Sequence, residues 1–242
     1  MIKPSDIEKA TMTHEKKRMA KNDYIAYYVG RKLSYILTVP FLYTKLTPNF
    51  ISMLSMVPLI VGFYFFYVAK SSFLLIIGWL CLFLWNLIDG VDGNVARYRK
   101  QYSEIGSVFD ATSGYLAMVV TFFAAGIAAA HVGGVLNFSF ENNELYIIFG
   151  AISGIATIFP RLVMQKALAT LKDDSSIDSV KDKGSFGPYK VIALNLSSVS
   201  GGAQFLLLLA ILFRILNIYT IIYLLFNLIV AIVSLKDILG RN

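Results

Sequence analysis

The chain has 242 residues, of which 57% are hydrophobic and 15% charged, with a formal net charge of +7 and one cysteine. A soluble domain averages about 45–50% apolar and about 25% charged residues, so the composition excludes a soluble globular enzyme and indicates an all-α, polytopic membrane protein. Cys81 alone, with only His14 and His131, excludes a disulfide framework and a Cys/His zinc site. The basic balance lacks a basic-aromatic platform for nucleic acid and suits anionic lipid head groups and a nucleotide phosphate instead.

Residues 1–45 read as a cytoplasmic N-terminal arm. Lys16-Lys17-Arg18 leads into polar residues rather than an apolar core, unlike a cleaved signal peptide. Asp23 to Thr38 is predicted to be an interfacial amphipathic helix. Tyr24, Tyr27, Tyr28 and Tyr35 would lie in the headgroup layer, and Arg31-Lys32 would face anionic lipid. Residues 46–242 read as one membrane domain. A span needs about 20 mostly apolar residues to cross about 30 Å of hydrocarbon, and six stretches qualify, near 50–69, 72–89, 107–131, 145–168, 190–213 and 217–235.

Cations crowd the arm and recur as Arg97, Arg99 and Lys100 after the second span, as Lys172, Lys181 and Lys183 after the fourth, and as Lys236 and Arg241 at the end. Only Lys70 and Arg214 fall on the other side, and the third loop, Val132–Glu144, has none. The positive-inside rule predicts that both termini, and the motif between the second and third spans, face the cytoplasm.

That motif carries the chemistry. It runs Asp89-Gly-Val-Asp92-Gly93-Asn-Val-Ala96-Arg97 and, after eight residues, Gly106-Ser-Val-Phe-Asp110. If the second span continues as helix to about Ala96, Asp89 and Asp92 share a face at i,i+3. Gly90 and Gly93 would let a phosphate or sugar approach the backbone. Gly106, one turn before Asp110, would let the second and third helices come together. Ionisable groups within membrane helices are costly and point to function. Three carboxylates converging on one point suit a hard divalent cation, Mg²⁺ or Mn²⁺. Arg97 could pair with a carboxylate or hold a phosphate bidentately.

The motif resembles the signature of the CDP-alcohol phosphotransferases, D-x2-D-G-x2-A-R followed by G-x3-D-x3-D. The Thr47-Pro48-Asn49 lead-in and the six-span layout are similar to that family as well. The resemblance implies a cytosol-facing cavity where a CDP-linked donor meets a metal, a lipid or small-alcohol acceptor attacks the donor phosphorus, and CMP leaves. It makes Asp89, Asp92 and Asp110 catalytic metal ligands, Gly93 and Ala96 nucleotide-contact positions, and Arg97 a structural or phosphate-contacting arginine. A homodimer is also implied.

One motif position departs. Where the family has its last aspartate, proposed as general base, this chain has Gly114. An acceptor that is already ionised, such as a polyprenyl phosphate with a second pKa of about 6, would need no base. A metal-bound alkoxide is another route, since a bound cation can lower a water's pKa from about 15.7 to about 7. Two further readings are a transferase taking a glycosyl or phospho-sugar group from a nucleotide sugar to a polyprenyl phosphate, and a non-catalytic, degenerate homologue.

Arg161, after Pro160 in the fourth span, is a candidate clamp for a substrate phosphate or an arginine snorkelling to the interface. Lys190, opening the fifth span, is a second candidate phosphate contact or an interfacial anchor. Asn195, Ser197, Ser198, Ser200 and Gln204 give the fifth span a polar side expected to bond neighbouring helices. Leu171–Lys183, with Asp173, Asp174 and Asp178, reads as a solvated loop. Gly150-Ala-Ile-Ser-Gly154 is a small-xxx-small pattern serving internal packing or a homodimer.

Overall fold

A computed structural model describes residues 2–134, 143–170 and 187–240. The Leu171–Lys183 loop, most of the third loop and Arg241 lie outside the described residues. Among those described there are ten α-helices, one π-helical turn and no strand. α1 (Pro4–Thr11) and α2 (His14–Ala20) form the arm with a π-helical turn (Ala26–Gly30) and α3 (Arg31–Leu42). α4 (Pro48–Val68), α5 (Ser72–Arg99), α6 (Gly106–Val132), α7 (Leu145–Thr170) and α10 (Leu216–Leu239) are each long and apolar enough to cross a membrane. The expected fifth span is instead two helices, α8 (Pro188–Ser197) and α9 (Gly202–Leu212), bent by 55° and counting as a sixth span if taken together. Ile60, Phe73, Ile155 and Ile232 are each more than half exposed on the outer face, as lipid contact requires.

Local chemistry sets the helix ends. Pro48 occupies the first turn of α4, and the Thr47 hydroxyl caps it by accepting from the Phe50 N–H at 3.3 Å. α5 does not stop at Asp89 but continues to Arg99, closing with Lys100 in the left-handed region at φ 55°. Its 28 residues rise about 42 Å, more than the hydrocarbon needs, so its last turns carry the motif beyond the apolar layer. Arg99, expected only as a topological charge, donates to the carbonyls of Phe41, Leu42 and Leu46 at 2.7–3.2 Å. It thereby satisfies the orphan acceptors at the end of α3 and in the turn before α4.

The fifth span breaks because Ser197-Ser-Val-Ser-Gly-Gly offers side-chain hydroxyls that compete with helical bonding. The backbones then close up: a Cβ on Gly202 would sit 2.2 Å from the Asn195 carbonyl oxygen. The arm seals the break. Ser198 Oγ donates to Asp23 at 2.6 Å, the Tyr24 N–H to Asn195 Oδ1 at 2.8 Å, and Asn195 Nδ2 to the Asn22 carbonyl at 2.6 Å. From α5, Asn86 Nδ2 reaches the Ser200 carbonyl at 2.8 Å and Trp79 Nε1 the Gln204 carbonyl at 2.7 Å.

The arm is therefore packed, not a lipid-facing strip along its whole length. Ile7 of α1 is fully buried. Tyr24 and Tyr28 are exposed as expected, but Tyr35, assigned from sequence to the headgroup layer, is only 4% exposed. It lies on the side of α3 that packs on α5, because Leu37, Phe41 and Leu42 join Ile51, Ile88, Val91 and Val95 in an apolar cluster behind the motif. The larger core, around Leu59, Leu82, Trp85, Phe122, Leu207 and Tyr223, lies deeper.

α6 and α7 cross with backbones in contact. A Cβ on Gly150 would come within 2.5 Å of the Phe122 carbonyl oxygen, one on Gly126 within 2.4 Å of the Tyr146 carbonyl oxygen, and one on Gly154 within 3.2 Å of Val119. The Gly150–Gly154 pattern thus serves internal packing. Gly150→Val is expected to overpack this crossing by about 1–3 kcal/mol. A thermal melt of the detergent-solubilised protein should show a lower midpoint, whereas Gly114→Ala, with open space around it, should leave the midpoint in place.

Candidate active site

α4, α5 and α6 bring the motif carboxylates to one point. Oxygens of Asp89, Asp92 and Asp110 all lie within 4.8 Å of one another. Asp92 is 4% exposed, Asp89 half-buried, and Asp110 exposed at the mouth. The i,i+3 spacing puts the first two on one face of α5. α4 then fixes Asp92, whose carboxylate accepts from the Ser52 hydroxyl and from the Gly93 N–H. Behind the carboxylates, Ser113 Oγ accepts from Trp85 Nε1 at 2.8 Å and bonds Ser55 Oγ at 2.9 Å, tying α4, α5 and α6 together. Gly106 has a different neighbour from the one expected: a Cβ there would meet Asn49 of α4 at 3.4 Å, so α6 begins against α4 rather than α5.

Three like charges so close repel by about 3–4 kcal/mol per pair at an effective dielectric of about 20. Among the described residues no lysine or arginine forms an ion pair with any of them. Asp89 Oδ1 is buried with no hydrogen-bond partner among the described residues. A set made only of oxygen donors, with one donor orphaned, fits a hard divalent cation.

The carboxylates open into a cavity of about 230 Å³ whose walls include Gly90, Gly93, Asn94 and Arg97 of α5, together with Arg31 and Ser34 of α3. Arg97 folds back along its own helix: its guanidinium occupies the space beside Gly93, where a Cβ would lie 2.9 Å from Nη2. Asn94 holds it there, accepting from Nη2 at 3.3 Å while its own Nδ2 donates to Ser34 and Thr38 hydroxyls at 3.2 and 3.1 Å. Gly90 serves helix packing rather than substrate approach alone, since a Cβ would meet Ser34 Oγ at 2.5 Å.

Asp89, Asp92, Asp110, Gly93 and Arg97 thus share the cavity wall. Ala96 is not part of it. Neither is Lys190, which forms an ion pair with Asp237 of α10 at 3.4 Å, nor Arg161 of α7, whose electrostatic neighbour is Tyr115 of α6. Sequence reasoning missed Ser52, Asn94 and Arg31. Asn94 lies inside the motif and could have been singled out as a buried amide; nothing local marks the other two. Arg31, expected to face lipid, lines the cavity instead, because α3 packs this side of its helix onto α5.

Gly114 lies one turn beyond Asp110, and a Cβ there would meet nothing within 4 Å. The adjacent hydroxyls are engaged: Thr112 Oγ1 donates to the Val108 carbonyl at 2.7 Å, and Ser113 is bonded as described.

No curated protein matches the chain. A family model described as CDP-alcohol phosphatidyltransferase matches residues 45–233, from just ahead of α4 into α10. That match takes in most of the chain, including the three carboxylates, and the protein belongs to the CDP-alcohol phosphatidyltransferase family.

Proposed function

We propose that the protein is a metal-dependent membrane transferase that moves a phospho-alcohol group from a CDP-linked donor to a lipid or small-alcohol acceptor and releases CMP. Family membership supplies the donor class and the transferase chemistry. The observation that carries the reading is the convergence of Asp89, Asp92 and Asp110, with an orphaned carboxylate oxygen among them. These three would hold Mg²⁺ or Mn²⁺, which when bound neutralises charge on the diphosphate and on departing CMP. Ser52 keeps the Asp92 carboxylate oriented, as an outer-shell partner does. Asn94 aims Arg97 into the cavity to hold a phosphate oxygen pair. The acceptor's hydroxyl oxygen attacks the phosphorus bearing the donor alcohol and gives up its proton to solvent, the bond from that phosphorus to the CMP oxygen breaks, and CMP leaves with the electron pair. The charge asymmetry of the loops supports a cytoplasmic side for this cavity and for both termini.

A second reading of the acceptor is favoured by the open space at Gly114 and the engaged hydroxyls of Thr112 and Ser113. No side chain there can take a proton from an alcohol. A polyprenyl phosphate, with a second pKa near about 6, arrives largely as a dianion. Its oxygen would attack directly, forming a new phosphoanhydride as the nucleotide monophosphate leaves. A nucleotide sugar would then deliver a phospho-sugar by the same displacement.

Purified protein with Mn²⁺, offered CDP-alcohols and nucleotide sugars against hydroxyl and phosphate acceptors, is expected to release CMP from the CDP-linked donors. Absence of product on every pair would leave the non-catalytic alternative. Asp110→Asn should lower turnover by about 10²-fold or more. Gly114→Asp is expected to raise transfer to alcohols and to depress transfer to polyprenyl phosphate, because the new carboxylate repels a dianion. A variant that improves on both acceptors would sink the ionised-acceptor reading. Ser52→Ala should weaken Mn²⁺ binding by about tenfold, measured as the dissociation constant by electron paramagnetic resonance, with the fold retained.

A further inference from the structure

The arm brings a second cation to the cavity, beside the motif arginine. Arg31 opens α3 immediately after the π-helical turn and lines the same cavity as Asp89, Asp92, Asp110 and Arg97. Its neighbour Lys32 is exposed, with its ammonium 5.9 Å from the centre of the Tyr28 ring. Among the described residues, neither Arg31 nor Arg97 forms an ion pair with a carboxylate, and Arg97 Nε is buried without a partner.

Two guanidinium groups facing one cavity cost free energy for the same reason that three carboxylates do. Opposite charges share this cavity, yet they do not pair with each other. Such a separation suits a ligand that carries several negative charges and reaches from a cation at the carboxylates to the cationic wall. A diphosphate does this, with each Arg binding phosphate oxygens through its planar fork.

We propose that Arg31 binds, together with Arg97, the diphosphate of the nucleotide-linked donor, so that the N-terminal arm completes the donor site; this rests on the transferase reading above. The site is then shared between the arm and the membrane domain. Donor affinity depends on the arm's docking against α5 and the broken fifth span.

Arg31 could instead meet the phosphate of an anionic lipid, and equilibrium binding separates the two sources. CDP and CMP are titrated calorimetrically in Mn²⁺ with protein in a neutral detergent, using wild type, Arg31→Ala, Arg31→Lys and, as a control, Lys32→Ala. The expected result is a loss of about tenfold in CDP affinity for Arg31→Ala. CMP, lacking the second phosphate, should lose less, Arg31→Lys should recover part of the loss, and Lys32→Ala should match wild type. CDP affinity unchanged in Arg31→Ala overturns the proposal. So does an equal loss for CDP and CMP, which would mark a purely structural role. Intact CDP affinity with weakened binding to vesicles containing phosphatidylglycerol would make Arg31 a headgroup anchor and also overturns it. Wild type that binds no CDP in Mn²⁺ fails the transferase reading itself, a result distinct from a variant that binds as well as wild type.

Discussion

Mutual repulsion among three carboxylates is the constraint around which this bundle is arranged. Oxygens within 4.8 Å of one another, one of them buried and unpartnered, stay together only because three helices hold their backbones. α4 contributes Ser52 to Asp92, and the Ser55–Ser113–Trp85 group pins α6 against α4 and α5 directly behind the acids. The apolar cluster of Ile51, Ile88, Val91 and Val95 fills the space between them and α3. These contacts would preorganise the acids for the cation proposed above, leaving little rearrangement for the moment of binding.

The second organising feature is the seam between the arm and the interrupted fifth span. A break inside a membrane helix exposes backbone groups that lipid cannot satisfy. Here Asp23, Asn22 and Tyr24 from the arm, and Asn86 and Trp79 from α5, provide partners. The same docking swings Arg31 into the cavity and leaves Lys32 outside. Sealing a helix break and bringing Arg31 to the cavity wall are two consequences of one packing arrangement, which joins the arm to the membrane bundle.

Glycines in this chain separate by what surrounds them. Gly126 and Gly150 are required by contact, since any Cβ would collide with backbone. Gly93 leaves room for the Arg97 guanidinium. Gly114 has neither reason: the space around it is empty, and packing would accept a larger residue. Its small size is therefore not a requirement of packing.

The sequence by itself determined what depends on short-range periodicity and composition. Runs of apolar residues marked the spans, the i,i+3 spacing put Asp89 and Asp92 on one face, and the chain's own motif pointed to Asp110 as the third acid. Those signals are local, because helical register converts spacing directly into direction. Tertiary structure alone decided the partners. Ser52 meets Asp92 across an antiparallel helix pair, Asn94 reaches α3, Lys190 goes to Asp237 rather than to the cavity, and Tyr35 and Arg31 turn inward because α3 packs on α5. The fifth span's break belongs to both levels: its serines and glycines were visible, but a run of hydrophobic residues outweighed them in a hydropathy reading. Hydrogen bonds from the arm, made across more than 170 positions of chain, and from Asn86 and Trp79 of α5 stabilise the bend. Long-range pairing leaves no periodic trace in a sequence, which is why the charge of the cavity's far wall could be seen only once the chain was folded.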